Sequence, residues 1–162
     1  MKGDHVSNIK RFTGDIFTST ADAILISVDG EHPKMIGAVG QQLIKKIDDG
    51  REWARLIEQV RYPIHAGNAR VMDLQAVPEA GFKYAILVCM FNHWNKSLYL
   101  QQGFYNALAV GFNWGIQSIA TVAAHGGWRG DIDGAMEPLY QACAKVPEVS
   151  VELWERASRT PA

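Results

Sequence analysis

Two segments of this chain are apolar at almost every position, and they restrict the possible folds more than any other feature. They are AILISV, at Ala23–Val28, and YAILVCM, at Tyr84–Met90. Strands with unbroken apolar sequence are covered on both faces and therefore lie at the centre of a sheet. Longer segments with helical spacing alternate with these and other short apolar runs. The sequence therefore predicts one sheet with helices on both faces.

Six strands and four helices are predicted within one domain. The chain has 162 residues, an ordinary length for a single domain, and it contains no internal repeat or low-complexity tract. The predicted strands are Ile9–Thr13, Ala23–Val28, Ala69–Leu74, Tyr84–Met90, Ser118–Ala124 and Val149–Trp154. The predicted helices are Ile36–Lys46, Glu52–Gln59, Leu98–Trp114 and Ile132–Lys145, with Ser97 as the N-cap of the third. Residues 1–162 are therefore predicted to form one domain.

Composition and charge exclude several classes of protein. Hydrophobic residues make up 48% of the chain and charged residues 20%, so the chain is predicted to fold rather than to stay disordered. The 16 basic and 17 acidic residues give a net charge of −1, which leaves no positive field to hold a long nucleic acid. A phosphate ligand is therefore expected to be held by local groups.

The cellular compartment is predicted from the cysteines and from the lack of long apolar runs. The 2 cysteines are too few for a disulfide framework in a chain of this length, which fits a reducing cytoplasm. The segment MKGDHVSNIK lacks the apolar core of a signal peptide, and no segment approaches the roughly 18 apolar residues that span a bilayer. A cytoplasmic protein with no membrane role is expected.

Ligands of open α/β sheets bind beyond the carboxyl ends of the strands, so the loops that follow strands are the candidate sites. The first of these loops is TGDIF, directly after the first predicted strand. Its Gly14 permits a tight turn. Asp15 can accept a hydrogen bond from an exocyclic amine of a ligand, or it can cap the backbone of its own turn. The residues alone leave both roles open.

The second loop connects an apolar strand to a helix through Asp29, Gly30, Gly37 and Gly40. Glycines ahead of a helix let main-chain N–H groups approach an anion, and the helix N-terminus adds a partial positive charge. The loop is therefore a candidate phosphate site, with an ordinary strand-to-helix connection as the alternative. No G-x-G-x-x-G or P-loop pattern is present.

The third loop, AAHGGWRGDIDG, again runs from a strand through glycines into a helix. Arg129 can pair with an anion, and His125 can donate to one or is simply hydrogen-bonded in place. Trp128 either forms a wall for a ligand or covers the base of the loop. Two glycine-rich strand-to-helix loops in one small domain indicate a ligand with two phosphates.

No metal, cofactor or covalent nucleophile is predicted. The histidines outside the third loop show neither the HExxH nor the CxxC spacing of a metal site; they are His5, His32, His65 and His93. The chain also lacks the G-x-S-x-G motif that carries a nucleophilic serine in α/β hydrolases.

Several stretches of the chain appear in an order and at separations that resemble the macro domain family, from Ile9 to Arg156. They are TGDIF, ADAILIS, MIGAVG, KYAILV, GIQSIA, HGGWRGD and VELWE. The resemblance implies a three-layer α/β/α sandwich on a mixed six-stranded sheet. It also implies that ADP-ribose binds in a cleft between the two glycine-rich loops.

The resemblance assigns a role to each candidate binding residue. Asp15 would accept from the adenine amine, and the main chain of Ile16 would lie beside the ring. Trp154 would lie against the adenine or its ribose, unless it only covers the sheet edge. The residues that would hold the diphosphate and the distal ribose are Gly37, Ala38, Val39, Gly40, His125, Gly126, Gly127, Trp128, Arg129 and Gly130.

The chain departs from the family pattern in the second loop. Common active macro domains carry Asn-Ala-Ala-Asn after the second strand and a run of glycines further on, where this chain has ISVDG and KMIGAVG. Asp29 takes the place of the final Asn. It can accept from ribose hydroxyls but has no amide N–H to donate, and it places a negative charge near the diphosphate. Lys34, Met35 and Ile36 replace the glycines and would reshape the distal ribose site.

The missing Asn favours a non-catalytic module that binds ADP-ribose or a related nucleotide diphosphate, with an ADP-ribosylated macromolecule as a further partner. The alternative is an ADP-ribosyl glycohydrolase or an ADP-ribose phosphate phosphatase that uses Asp29 or Asp131 as the cleft carboxylate. A divergent glycohydrolase branch of the family uses a Lys and an Asp, for which this chain offers Lys34, Lys45 or Lys46 with Asp131. Lys45 and Lys46 also fit a solvent-exposed helix face, and Asp131 also fits a helix cap. A third hypothesis is an interaction domain that has lost the ligand.

Overall fold

The computed structural model describes residues 8–31, 36–47, 51–92, 97–122 and 132–155. Its strands are β1 (Ile9–Thr13), β2 (Ala23–Ser27), β3 (Ala69–Asp73), β4 (Tyr84–Val88), β5 (Phe91–Asn92), β6 (Ser97–Leu98), β7 (Ser118–Val122) and β8 (Ser150–Glu155). Its helices are α1 (Ala38–Lys46), α2 (Arg51–Ile57), α3 (Leu100–Asn113) and α4 (Ile132–Lys145), with 3-10 turns at Ile16–Thr18 and Pro78–Ala80. All predicted strands and helices are present. None of the helices within these ranges is long and apolar enough to cross a membrane.

The strands of the main sheet follow the order β1-β8-β7-β2-β4-β3. Neighbouring strands are parallel except for β3, which pairs antiparallel with β4 at one side of the sheet. The two apolar strands, β2 and β4, are interior strands, as their sequence predicts. The parallel strands end at one edge of the sheet, which we call the carboxyl edge; it is formed by Thr13, Ser27, Val88, Val122 and Glu155. The mixed six-stranded sheet is therefore confirmed.

Alternate residues of β2 are buried on opposite faces of the sheet, which explains its unbroken apolar sequence. Ile24 and Ile26 belong to a buried cluster with Leu43 of α1 and side chains of α2. Ala23 and Leu25 belong to a second cluster with side chains of α3 and α4. Burying a Leu or Ile side chain contributes roughly 1.5–3 kcal/mol, so this strand stabilises the helix layers on both sides. The chain is a three-layer α/β/α sandwich, as predicted.

The sequence does not predict the short pairing of β5 with β6, which lies between β4 and α3. Asn92 pairs with Ser97 in this hairpin. Ser97 therefore lies in a strand, and the prediction that it caps α3 is wrong. Tyr99 precedes the helix instead, without a side-chain cap, and its N–H donates to the carbonyl of Met90 at 2.7 Å. This main-chain bond holds the segment that leads into the helix.

Gly40 lets α1 lie close against the sheet. A Cβ atom at Gly40 would lie 2.8 Å from Ile26 Cγ2 and 2.8 Å from Ile36 Cδ1, closer than side chains normally approach. Leu43, about one turn further along the helix, is fully buried in the same contact. Because α1 is held this close to β2, its residues Val39 and Gln42 reach the carboxyl edge.

Candidate functional site

A cleft of about 410 Å³ opens at the carboxyl edge. Its described lining consists of Gly14, Asp15, Ile16, Val39, Gln42, Val122 and Trp154. These residues belong to the turn after β1, to α1, to the end of β7 and to β8. The fold thus brings the first predicted loop together with the helix that follows the second. The third loop begins at the same place, directly after Val122.

The TGDIF turn places Asp15 in the wall of the cleft. Gly14 has a φ of 134°, a conformation that favours glycine, and its N–H donates to the carbonyl of Glu155 at 2.8 Å. The Oδ1 atom of Asp15 accepts from the N–H of Phe17 at 3.0 Å and so caps the 3-10 turn. The second carboxylate oxygen makes no hydrogen bond within the described residues. One carboxylate can therefore cap the turn and accept from a ligand at the same time.

Trp154 is well packed and also forms part of the cleft wall. The residue is only 9% exposed, and its ring stacks on Phe12 of the neighbouring strand with 4.9 Å between the ring centroids. Its indole N–H donates to Oε1 of Glu152 at 2.9 Å, and the same oxygen accepts from the hydroxyl of Ser19 at 2.6 Å. These contacts fix the orientation of the indole. Contact between its remaining surface and a base stays a prediction.

The start of α1 presents main-chain N–H groups, but the N–H of Gly37 in the predicted phosphate loop is already bonded within the fold. The N–H of Gly37 donates to the carbonyl of Ser27 at 3.0 Å. Gln41 donates its N–H to the carbonyl of Gly37 at 3.0 Å, which is the first hydrogen bond of the helix. The N–H groups of Ala38–Gly40 have no acceptor inside the helix. An anion at this helix N-terminus would therefore be bound by Ala38–Gly40 rather than by Gly37.

Asp29 caps its own loop. Its Oδ1 atom accepts from the N–H of Glu31 at 2.9 Å. The next residue, Gly30, accepts from the N–H of Ile64 at 2.7 Å, and a Cβ atom there would lie 3.1 Å from Cys89 Sγ. Asp29 is not part of the described lining of the cleft. The structure thus gives Asp29 a role in shaping the loop, and its catalytic role stays a prediction.

Several predicted site residues lie outside the described ranges, so their roles also stay predictions. They are Lys34, His125, Gly126, Gly127, Trp128, Arg129, Gly130 and Asp131. Two other predicted candidates, Lys45 and Lys46, are exposed side chains on α1. The Nζ atom of Lys46 lies 5.2 Å from the centroid of the Phe17 ring. Neither lysine belongs to the described lining of the cleft.

Gln42 and Val122 line the cleft although the sequence patterns did not identify them as site residues. Gln42 lies three residues after Val39 on α1, and side chains at this spacing share one face of a helix. The helical spacing therefore predicts Gln42 as a site residue once Val39 is assigned to the site. Val122 is the last residue of β7, directly before the third loop. The general rule that ligands bind beyond strand ends is the one feature that points to Val122 as a site residue.

A second depression, of about 480 Å³, lies at the opposite edge of the sheet, beside the starts of β2 and β4. Two of its polar side chains are engaged within the fold. Asp22 accepts from the N–H of Gln117 at 3.0 Å, and the side chain of Gln75 donates to the hydroxyl of Tyr84 at 3.2 Å. None of the predicted site residues lines this depression. The candidate site is therefore the cleft at the carboxyl edge.

The hydroxyl of Tyr62 is buried near Asp29 and has no hydrogen-bond partner within the described part of the chain. Burial raises the pKa of Tyr62 to about 12, and the negative charges of Asp29 and Cys89 act in the same direction. The hydroxyl therefore stays protonated at neutral pH. A buried donor without a partner costs about 1–3 kcal/mol of stability.

Tyr62→Phe is expected to leave the free energy of unfolding unchanged at neutral pH or to raise it by up to about 1 kcal/mol, because it removes an unsatisfied hydroxyl. The folded-state pKa of about 12 lies above the ordinary value of 10.0, so the parent protein loses stability as the pH rises through this window. Tyr62→Phe has no hydroxyl to ionise and therefore does not lose stability in this way. Urea denaturation of both proteins at about pH 7 and about pH 11 measures the difference. A variant clearly less stable at neutral pH would show that the hydroxyl is hydrogen-bonded in solution.

No protein-family model matches this chain, and no curated protein matches it. Solved structures do match. The macrodomain of Mycobacterium tuberculosis DarG is 19% identical, with 92% of this chain and 98% of that chain covered and a TM-score of 0.70. The Oceanobacillus iheyensis macrodomain with ADP is 15% identical, with 96% and 87% covered and a TM-score of 0.71.

A third structure contains more than the matched region. Thermosipho africanus DarTG in complex with ADP-ribose is 15% identical, with a TM-score of 0.66; 96% of this chain and 43% of that chain are covered. Identities at this level establish the fold and nothing finer. The fold described above agrees with these macrodomain structures. The resemblance seen in the sequence is therefore confirmed. The chain therefore has the macro domain fold.

Proposed function

We propose that this protein binds ADP-ribose, or a related nucleotide diphosphate, in the cleft at the carboxyl edge and acts as a non-catalytic reader. One observation carries the proposal: an exposed carboxylate, an indole wall and the start of a helix meet at one cleft. A carboxylate accepts from an amine, an indole covers a flat ring, and a helix N-terminus attracts phosphate. An adenine nucleotide carries the three matching groups.

The adenine is proposed to lie between the turn after β1 and β8. Asp15 accepts from the exocyclic amine through the oxygen that does not cap the turn. Ile16 is only 6% exposed and lines the cleft, and its main chain is proposed to lie beside the ring. Trp154, Val39 and Val122 supply apolar surface for the ring.

The phosphates are proposed to lie at the start of α1. The N–H groups of Ala38–Gly40 and the partial positive charge of the helix N-terminus favour an anion there. The described lining of the cleft contains no cationic side chain, so further donors come from elsewhere. Gly126–Gly130, including Arg129, follow the strand that ends at Val122 and are proposed to close the site from its other side.

Two proteins with the same fold support this class of ligand. The Oceanobacillus iheyensis macrodomain has been solved with ADP, and Thermosipho africanus DarTG has been solved in complex with ADP-ribose. Both ligands contain an adenine, a ribose and a diphosphate. Free ADP-ribose, or ADP-ribose attached to a macromolecule, is therefore the proposed partner of this chain.

A non-catalytic role is favoured because the carboxylate of Asp29 caps its own loop and does not line the described cleft. Incubation with an ADP-ribosylated protein tests this role. No release of ADP-ribose above the rate without protein is expected. Release that is lost in Asp29→Ala or in Asp131→Ala would instead establish a glycohydrolase, with the affected carboxylate in the reaction.

A thermal-shift panel tests the proposed ligand. A ligand that binds only the folded state at 100 times its Kd adds about 2.7 kcal/mol of stability, which corresponds to a rise in Tm of roughly 5–10 °C for a chain of this size. ADP-ribose and ADP are expected to raise Tm, and ribose 5-phosphate is expected to raise it less because it lacks the adenine. A panel in which no adenine nucleotide changes Tm at millimolar concentration would remove the proposal.

A further inference from the structure

Gln42 is a polar side chain in the cleft with no hydrogen bond to any other described residue. It is half-buried on α1 and lines the cleft together with Asp15 and Trp154. The adjacent Gln41 differs, because its Nε2 atom donates to the carbonyl of Ile36 at 3.3 Å and its side chain does not line the cleft. Among the described residues, nothing therefore uses the hydrogen-bonding groups of the Gln42 amide, which can serve a ligand.

The chemistry of this amide complements that of Asp15. The ionised carboxylate only accepts hydrogen bonds, whereas the amide of Gln42 accepts through its oxygen and donates through its nitrogen. The rest of the described lining is apolar or main chain, apart from the indole N–H of Trp154, which donates to Glu152. An adenine edge presents an amine donor beside a ring-nitrogen acceptor, and a Gln amide pairs with that edge in a bidentate manner. The adenine amine has two hydrogens, one for each of the two side chains.

We propose that Gln42 is a specificity-determining residue that reads the base together with Asp15 and selects a 6-aminopurine over a 6-oxopurine. The inference rests on the proposed function, because it assumes that the base of a nucleotide enters this cleft. A 6-oxopurine presents a carbonyl oxygen where adenine presents the amine. At the edge that contains N7, a 6-oxopurine therefore presents two acceptors, and the amide of Gln42 can donate to only one of them while its own oxygen faces the other. The carboxylate of Asp15 loses the amine hydrogen that it accepts from adenine.

Calorimetric titration with ADP and with inosine diphosphate tests the inference. The two ligands differ in the base alone, with a carbonyl oxygen in place of the amine. Gln42→Met keeps the length of the side chain and a good helix propensity but removes both hydrogen-bonding groups. The preference of the protein for ADP over inosine diphosphate is expected to fall by about 3–10-fold, the range for losing one neutral hydrogen bond. Gln41→Met, the matched control, is expected to keep the preference of the parent.

Two results would overturn the inference, and they are distinguishable. If the parent and Gln42→Met bind both ligands with the same preference, Gln42 does not read the base and the proposed function stands. If the parent binds neither ligand, the proposed function fails and the inference fails with it. Gln42→Leu provides a second apolar variant, and its circular dichroism spectrum and Tm show whether a loss of preference occurs in a folded protein.

Discussion

Gly30→Ala is expected to lower the free energy of unfolding by at least about 3 kcal/mol, the upper end of the usual cost of overpacking. The added Cβ would lie 1.7 Å from the carbonyl oxygen of Ile64 and 2.8 Å from its carbonyl carbon. Both are main-chain atoms, so no side-chain rotation relieves the overlap. Relief requires the loop at Ile64 to move away, which breaks its 2.7 Å hydrogen bond to the carbonyl of Gly30.

Gly115→Ala is the matched control for this variant. Gly115 has a φ of 79°, and a Cβ there would meet no atom within 4 Å, so alanine introduces backbone strain without overlap. A loss of about 1–2 kcal/mol is expected. Urea denaturation of the three proteins gives the comparison. Equal losses in the two variants would show that the loop at Ile64 does not press on Gly30 in solution.

Asp15→Asn is expected to weaken ADP-ribose binding by about 10–100-fold, which corresponds to about 1.5–3 kcal/mol for a hydrogen bond to a charged group. The Asn oxygen can still accept from the N–H of Phe17 and cap the 3-10 turn, as Oδ1 of Asp15 does at 3.0 Å. The amide nitrogen then replaces the second oxygen, which is proposed to accept from the adenine amine. Two donors, the Asn amide and the adenine amine, would then face each other, while the 3-10 turn keeps its cap.

Calorimetry and thermal unfolding of Asp15→Asn separate the two functions of the carboxylate. Tm is expected to stay within about 2–4 °C of the parent, because the capping bond is retained. Asp15→Ala loses both the cap and the acceptor and serves as the comparison. Unchanged affinity in Asp15→Asn would contradict the assignment of Asp15 to the adenine amine.

The main features of the fold follow from the sequence because they depend on burial, which leaves a pattern in the chain. β2 is buried on both faces, and that condition alone requires its unbroken apolar sequence. The pairing of β5 with β6 has no such pattern, since each strand has only 2 residues and Ser97 and Leu98 are both exposed. The N-cap prediction for Ser97 failed for the same reason: a polar residue before a helical pattern is typical of a cap and also of an exposed strand.

The candidate site was only partly predictable because glycine serves two purposes that look alike in a sequence. A missing Cβ lets a ligand approach the main chain, and it also lets two parts of the protein approach each other. Gly30 and Gly40 serve the second purpose, against Ile64 and Ile26 respectively. The sequence does not identify Gln42 as a site residue, because a polar residue on a helix is usually solvent-exposed. Only the position of α1 against β2 brings it into the cleft.

Amide chemical-shift mapping with ADP-ribose tests most directly whether an adenine nucleotide binds at the carboxyl edge. The largest changes are expected at the amides of Gly14–Ile16, at the side-chain amide of Gln42 and at the indole N–H of Trp154, all in residues of the cleft lining. Changes concentrated at the opposite edge, around Thr20 and Lys83, would place the ligand in the second depression and contradict the account. The absence of any change at millimolar ADP-ribose would contradict it as well.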